Sequence, residues 1–204
     1  VFGPGGIGKS TLCRAVAGEA ERAGRLVTTV DLRAVEPSRA AITAAVSVDT
    51  TGVGSPRHVV VLDAFERIAG LEAWVRSELL DLLPAGTIVV VASRQPPSAA
   101  WRDDPGWSSL LEPVALRALS AEEGVQVLTN AGVADDLAAE TVVAAHGHPL
   151  ALVLLAEVLR RAGGRPDAEW GLAPDLVTTL LGRILDEVPT ADHRRLLDAA
   201  AMTR

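Results

Sequence analysis

Apolar positions follow two rhythms along the chain. In the first part, uninterrupted apolar runs alternate with stretches of helical spacing. His58 to Leu62 (HVVVL) and Thr87 to Ala92 (TIVVVA) are continuous runs, the pattern of parallel strands buried on both faces. Arg25 to Asp31 (RLVTTVD) is rich in β-branched residues and reads as another strand. Val1-Phe2 read as the last residues of a buried strand, and Pro113 to Leu116 as a short fifth one. Ser10 to Ala23 has helical spacing, with Leu12, Val16 and Ala20 on one face and Gly24 as its stop. Ser38 to Ser47 is a weak, alanine-rich helix. Asp49 to Arg57, with Gly52, Gly54 and Pro56, is a loop. Glu66 to Leu83 carries Ile68, Leu71, Val75, Leu79 and Leu82 at helical intervals and stops at Pro84. Strands alternating with helices predict an α/β fold, a parallel sheet with helices on both faces.

After Ala118 the strand pattern disappears. Ser120 to Ala131, Asp135 to His146 and Pro149 to Ala162 all read as helices, and Ser120 with Glu123 makes a capping box. Gly163-Gly164-Arg165-Pro166 is a hinge-like break, and Leu176 to Val188 and Thr190 to Ala201 read as two more helices. The expected domains are a core over residues 1–117 whose first strand is truncated, an all-helical lid over 118–165, and an incomplete third helical domain over 166–204. The first residue is Val1 rather than Met, so the chain is expected to be a piece of a longer protein.

Composition narrows the class. Hydrophobic residues make up 49% of the 204 positions and charged residues 22%, which excludes a disordered chain. The longest apolar run, Pro149 to Leu159, is interrupted by Glu157 and falls short of a membrane span, so no membrane contact is expected. A single cysteine, Cys13, excludes a disulfide scaffold and a thiolate zinc cluster and fits a reducing cytoplasm. A net charge of −7 argues against a nucleic-acid surface while leaving room for a local basic patch, and Arg194-Arg195 reads as a solvated helix face or, as the less common alternative, a DNA contact. Among 19 basic residues Lys9 is the one lysine.

That lysine lies in a motif. Gly3-Pro4-Gly5-Gly6-Ile7-Gly8-Lys9-Ser10 satisfies G-x-x-x-x-G-K-[ST], between a strand end and a helix. Glycines let backbone N–H groups converge on phosphate oxygens, and the helix aims its positive end at the same anion. Lys9 would meet the β- and γ-phosphates, Ser10 would offer its hydroxyl to Mg²⁺, and the Thr11 N–H could reach the α-phosphate. A second signal is an acid ending a buried strand. Asp63 fits as a metal carboxylate, or otherwise as a helix N-cap. Glu66 is either the acid that orients an attacking water or a first-turn glutamate favoured by the helix dipole. Arg94, after the Thr87 to Ala92 strand, stands at the carboxyl edge of the sheet, where ligands bind, and could contact a γ-phosphate. It could also be a solvated arginine before the Gln95-Pro96-Pro97 turn.

Together these residues resemble the STAND class of P-loop ATPases, which includes the NB-ARC proteins and bacterial ATP-dependent regulators. The resemblance runs from Val1 to about Ala162, with weaker similarity to the end. Gly3 to Thr11 matches the phosphate loop, Val59 to Asp63 the metal-binding strand, and Ser93-Arg94 the arginine-bearing sensor. Leu116 to Glu123 (LRALSAEE) is similar to the start of the lid, and Gly147-His148-Pro149 to the family's G-x-P motif, whose proline packs on the base. The resemblance implies a P-loop core, a helical lid and the start of a winged-helix-like domain. It implies ATP or ADP with Mg²⁺ bound between core and lid as a signalling or transcription switch. Flanking sensor and effector domains of the same protein would be its partners, and a nucleotide-dependent homo-oligomer is compatible with it. Many relatives carry a second acid directly after the metal aspartate. Here that place is Ala64, which points to slow hydrolysis. A working ATPase of the AAA+ type is the main alternative, and a small-molecule kinase a weaker one. A GTPase is disfavoured because the one lysine is already committed, and an ABC-type ATPase because no Leu-Ser-Gly-Gly-Gln stretch is present.

Overall fold

A computed structural model describes residues 1–46 and 58–161. Among the described residues, Val1–Pro4 and Gly8–Arg117 form one compact unit, and Gly5–Ile7 group with residues 118–161 in a second. The expected loop at Asp49 to Arg57, the break at Gly163 to Pro166, the helices at Leu176 to Val188 and Thr190 to Ala201, and the third domain lie outside the described residues.

The first unit is built on three parallel strands, β1 (Leu26–Asp31), β2 (His58–Asp63) and β3 (Ile88–Val91), in the order β1-β2-β3. Every residue of β2 is buried. Its side chains alternate between faces. Val60 and Leu62 enter one core with Ile42 and Val46 of α2 (Arg39–Val46), while Val59 and Val61 enter another with Cys13 and Ala20 of α1 (Lys9–Arg22). Each fully buried valine contributes about 1.5–3 kcal/mol relative to exposure. The face of α1 that packs is therefore centred on Cys13 and Ala20, with Leu12 and Val16 only half-buried. Gly24 (φ 72°) ends α1 as expected, its N–H donating to Glu21 O and that of Arg25 to Ala20 O, both at 2.9 Å.

Three expectations for this unit are corrected. The span from Glu66 to Leu83 is not one α-helix. It runs as a 3₁₀ stretch (Phe65–Leu71), a single α turn α3 (Glu72–Trp74), a π turn (Val75–Leu79) and a second 3₁₀ turn (Leu80–Leu82). Ile68 leaves helical geometry (φ −119°, ψ 23°) while staying buried. These changes of pitch bring Phe65, Ile68, Trp74, Val75 and Leu79 into one core and turn Leu82 outward, 65% exposed. The stop is as expected, with Leu83 extended (ψ 146°) before Pro84. The run from Thr87 to Ala92 is not buried on both faces. β3 is mostly half-buried; among the described residues its backbone away from β2 is met at the carboxyl end, where the Val1 amine donates to Val91 O at 2.8 Å. The short fifth strand reduces to a bridge. The Phe2 N–H donates to Val114 O at 2.9 Å and the Leu116 N–H to Phe2 O at 2.8 Å, and Phe2 also bridges Ser93. After β3 the chain makes two short helices that the hydrophobic pattern did not signal, α4 (Ala99–Arg102) and α5 (Pro105–Ser108).

The second unit packs α6 (Ala121–Asn130), α7 (Asp135–Ala144) and α8 (Pro149–Arg161) around Leu128, Ala138, Val142 and Leu152. The capping box is present. Ser120 Oγ accepts from the Glu123 N–H at 3.2 Å, and Glu123 Oε2 accepts from the Ser120 N–H at 2.7 Å. Helix α7 stops at Ala144, two residues short of the expected His146, because His146 (φ 49°) and Gly147 (φ 66°) turn left-handed. At Gly147 a side chain would also collide with the Leu119 carbonyl. Pro149 then opens α8, where its missing N–H costs no intrahelical bond. No helix among the described residues is long and apolar enough to cross a membrane.

Candidate functional site

The carboxyl edge of the sheet gathers Asp31, Asp63, Glu66 and Arg94. Parallel register pairs Asp31 with Asp63 at the ends of β1 and β2. One strand further on, Ser93 and Arg94 follow β3, and the Gly3 N–H donates to Ser93 O at 3.3 Å. The motif therefore starts on the same edge as the acids.

The loop delivers its lysine and serine through the start of α1. Gly8 caps the helix with φ 105°, a value that L side chains rarely adopt. It offers no side-chain cap, and no acid lies in the first turn. The positive end of α1 is thus left for an anion. Lys9 folds back over the loop, donating from Nζ to Gly3 O at 2.7 Å and Pro4 O at 2.8 Å. Ser10 Oγ donates to Asp63 Oδ2 at 2.5 Å, and Asp63 Oδ1 accepts from the Ala64 N–H at 2.9 Å. Thr11 is exposed, and its Oγ1 accepts from Arg14 at 3.3 Å.

Ser10 and Asp63, 53 residues apart in sequence, thus present a hydroxyl and a carboxylate at one point. These are the hard oxygen donors that suit Mg²⁺, which keeps waters and phosphate oxygens for its remaining positions. Among the described residues no group of three or more His, Cys, Asp or Glu could hold a metal. The residues present fit a metal held jointly with a phosphate.

Glu66 and Arg94 meet each other. Glu66 Oε2 accepts from the Arg94 N–H at 3.3 Å, and Oε1 is 3.2 Å from Arg94 Nε. The candidate water-orienting acid and the candidate sensor are therefore an ion pair. Ala64, where many members of the resembled class carry a second acid, is left-handed (φ 61°, ψ 44°), uncommon for a residue with a side chain.

Sequence reasoning missed Asp31 and Arg33. Arg33 Nε donates to Asp31 Oδ1 at 2.8 Å, Nη2 donates to Asp31 Oδ2 at 3.0 Å, and Nη2 lies 3.4 Å from Asp63 Oδ2. Hydrogen bonding to Arg33 holds the Asp31 carboxyl below the usual carboxylate range, and the same bond raises Arg33 further. The available signal was an acid closing the strand next to the one that ends in Asp63.

The second unit holds the remaining loop residues. His148 Nε2 lies 3.1 Å from Gly5 O, and the Leu150 N–H donates to Gly6 O at 3.2 Å. A Cβ at Gly6 (φ 70°) would come within 2.7–2.9 Å of His148 and Leu150 side-chain atoms. Ile7 is buried and Pro149 half-buried.

No protein-family model matches the chain, and no curated protein sequence matches it. Among solved structures it is similar to RuvB of Thermotoga maritima. A single-residue mutant of that protein is 17% identical with a TM-score of 0.56, covering 79% of this chain and 53% of that one. The Thermotoga maritima RuvB Holliday junction branch migration motor is 18% identical with a TM-score of 0.51, covering 98% of this chain and 67% of that one. The chain spans about half the length of the first of these. At such identity the likeness concerns the fold, which is that of a P-loop nucleoside-triphosphatase core.

Proposed function

We propose that this chain is the nucleotide-binding module of a STAND-type signalling or transcription-regulatory protein, an ATP/ADP switch with Mg²⁺-dependent and slow hydrolysis. The observation that carries the reading is the 2.5 Å bond between Ser10 and Asp63, which joins the phosphate-loop hydroxyl to the strand-end carboxylate. In this reading the loop from Gly3 to Gly8 wraps the phosphates with main-chain amides. Lys9 exchanges the Gly3 and Pro4 carbonyls for β- and γ-oxygens, and the Thr11 N–H meets the α-phosphate. Ser10 and Asp63 would hold Mg²⁺, which when bound neutralises phosphate charge and polarises the γ-phosphoryl group. Pro149 would pack on the base.

Slow turnover follows from the acids available. Position 64 carries no carboxylate, and Glu66 is engaged by Arg94. An arginine that responds to the γ-phosphate would distinguish ATP from ADP, and a ligand shifts a conformational equilibrium only through such differential contacts. Flanking sensor and effector domains in a cytoplasmic protein would read the shift.

A working ATPase of the AAA+ type is the second reading, favoured by the fold likeness to RuvB. Turnover that rises with protein concentration, as subunits supply an arginine to one another, would favour it over the switch.

The experiment is binding of a fluorescent ATP analogue to the wild type and to Lys9→Ala. Micromolar or tighter binding by the wild type, lost in the variant with unfolding unchanged, is the expected result. Wild-type affinity in Lys9→Ala would defeat the assignment.

A further inference from the structure

Arg33 follows β1 by two residues and is fastened to that strand's last carboxylate. Its backbone N–H and its Nε both donate to Asp31 Oδ1, at 3.0 and 2.8 Å, and Nη2 donates to Asp31 Oδ2 at 3.0 Å. Three bonds onto one carboxylate fix the direction of a planar fork. That direction brings Nη2 to within 3.4 Å of Asp63 Oδ2, the oxygen that Ser10 Oγ also uses. The register explains the coincidence. Asp31 and Asp63 are cross-strand partners, so both carboxylates leave the sheet edge side by side and one guanidinium can serve both. Nη1 makes no hydrogen bond among the described residues, and the side chain is 57% exposed.

Taking Ser10 and Asp63 as the Mg²⁺ donors of the proposed function, we infer that Arg33 is a positioning residue that sets the metal dependence of the nucleotide site. Its fixed charge beside Asp63 opposes a divalent cation there and supports nucleotide binding without metal. Guanidinium does not deprotonate in proteins, so the repulsion is not relieved by loss of a proton. Asp31 prevents the side chain from swinging away at low cost. Half-exposure and salt screen the effect without removing it, because the groups lie well inside one Debye length.

The test uses the full chain and a fluorescent ATP analogue, titrated with Mg²⁺ from an EDTA baseline. Arg33→Gln is expected to lower the Mg²⁺ midpoint about three- to tenfold and to weaken metal-free binding by a similar factor. Arg33→Lys, which keeps the charge but loses the fork that Asp31 holds, should fall between the wild type and Arg33→Gln on both counts. An unchanged or raised midpoint in Arg33→Gln overturns the inference, as does a loss of ATP-over-ADP preference with no shift in midpoint, which would make Arg33 a phosphate ligand instead. A wild type that binds no analogue at any Mg²⁺ concentration overturns the nucleotide site itself and this inference with it. Normal wild-type binding with an unmoved variant overturns only the role of Arg33.

Discussion

Glu66 grips Arg94 twice, accepting its backbone N–H at 3.3 Å and meeting its guanidinium at 3.2 Å. The proposed water-orienting acid and the proposed γ-phosphate sensor hold one another at the carboxyl edge of the sheet. Neither can be changed without altering the charge around the other.

This coupling separates two readouts. Arg94→Ala should reduce the preference for ATP over ADP more than it reduces ADP affinity, as measured by competition against a fluorescent analogue. Equal loss for both nucleotides would remove the sensor role. Glu66→Gln should lower single-turnover phosphate release about hundredfold if Glu66 positions the attacking water, with nucleotide affinity nearly unchanged. An unaltered rate would leave Glu66 as a partner for Arg94 and nothing more.

Asp63→Asn should raise the Mg²⁺ concentration needed for ATP-analogue binding on the order of tenfold. The amide oxygen can keep the Ala64 N–H while the amide NH2 donates to the Ser10 hydroxyl, so folding should be little affected. If the metal requirement is unchanged, Asp63 serves only its bonds to Ser10 and the Ala64 N–H.

Gly124 lets α6 approach α7 closely. A Cβ there would lie 2.8 and 2.9 Å from the two Val142 methyls and 3.4 Å from Leu152. The β-branched Val142 has little rotamer freedom with which to give way. Gly124→Ala should therefore destabilise the protein by about 1–2 kcal/mol, despite alanine's better helix propensity. Urea unfolding gives the value, and a stabilised variant would show that the helices part easily.

The Asp31–Arg33 pair predicts an acid-side effect. The folded Asp31 carboxyl titrates below its unfolded value because Arg33 hydrogen-bonds it. It therefore adds stability above about pH 4, the unfolded range, and that stability disappears as pH falls through the lower folded value. Both partners are about half exposed, so the contribution should stay under about 1 kcal/mol. Asp31→Asn should flatten the loss of stability between pH 6 and pH 3, followed by urea unfolding. An equally steep loss in the variant would show that the pair is energetically silent.

The α/β class was legible in the sequence, because continuous apolar runs and helical spacing are statements about one segment at a time. The capping box at Ser120 and the Gly24 stop are local in the same sense. The broken helix after Asp63 was not legible. Its 3₁₀ and π turns answer to the sheet beneath, and apolar spacing alone describes an unstrained helix. The shortening of the Pro113 to Leu116 strand to a bridge on Phe2 was not legible for a related reason, since a ladder's length depends on what its neighbour offers.

For the site, the local pattern determined the residue types: a glycine loop with one lysine, and an acid at the end of a buried strand. Tertiary structure decided which of them meet. The parallel register of β1 on β2 sets Asp31 beside Asp63, the turn after β1 bends Arg33 back to both, and the crossover before β3 brings Arg94 to Glu66. Those distances depend on strand order and register, which pair residues far apart in the chain, and so no single segment carries them.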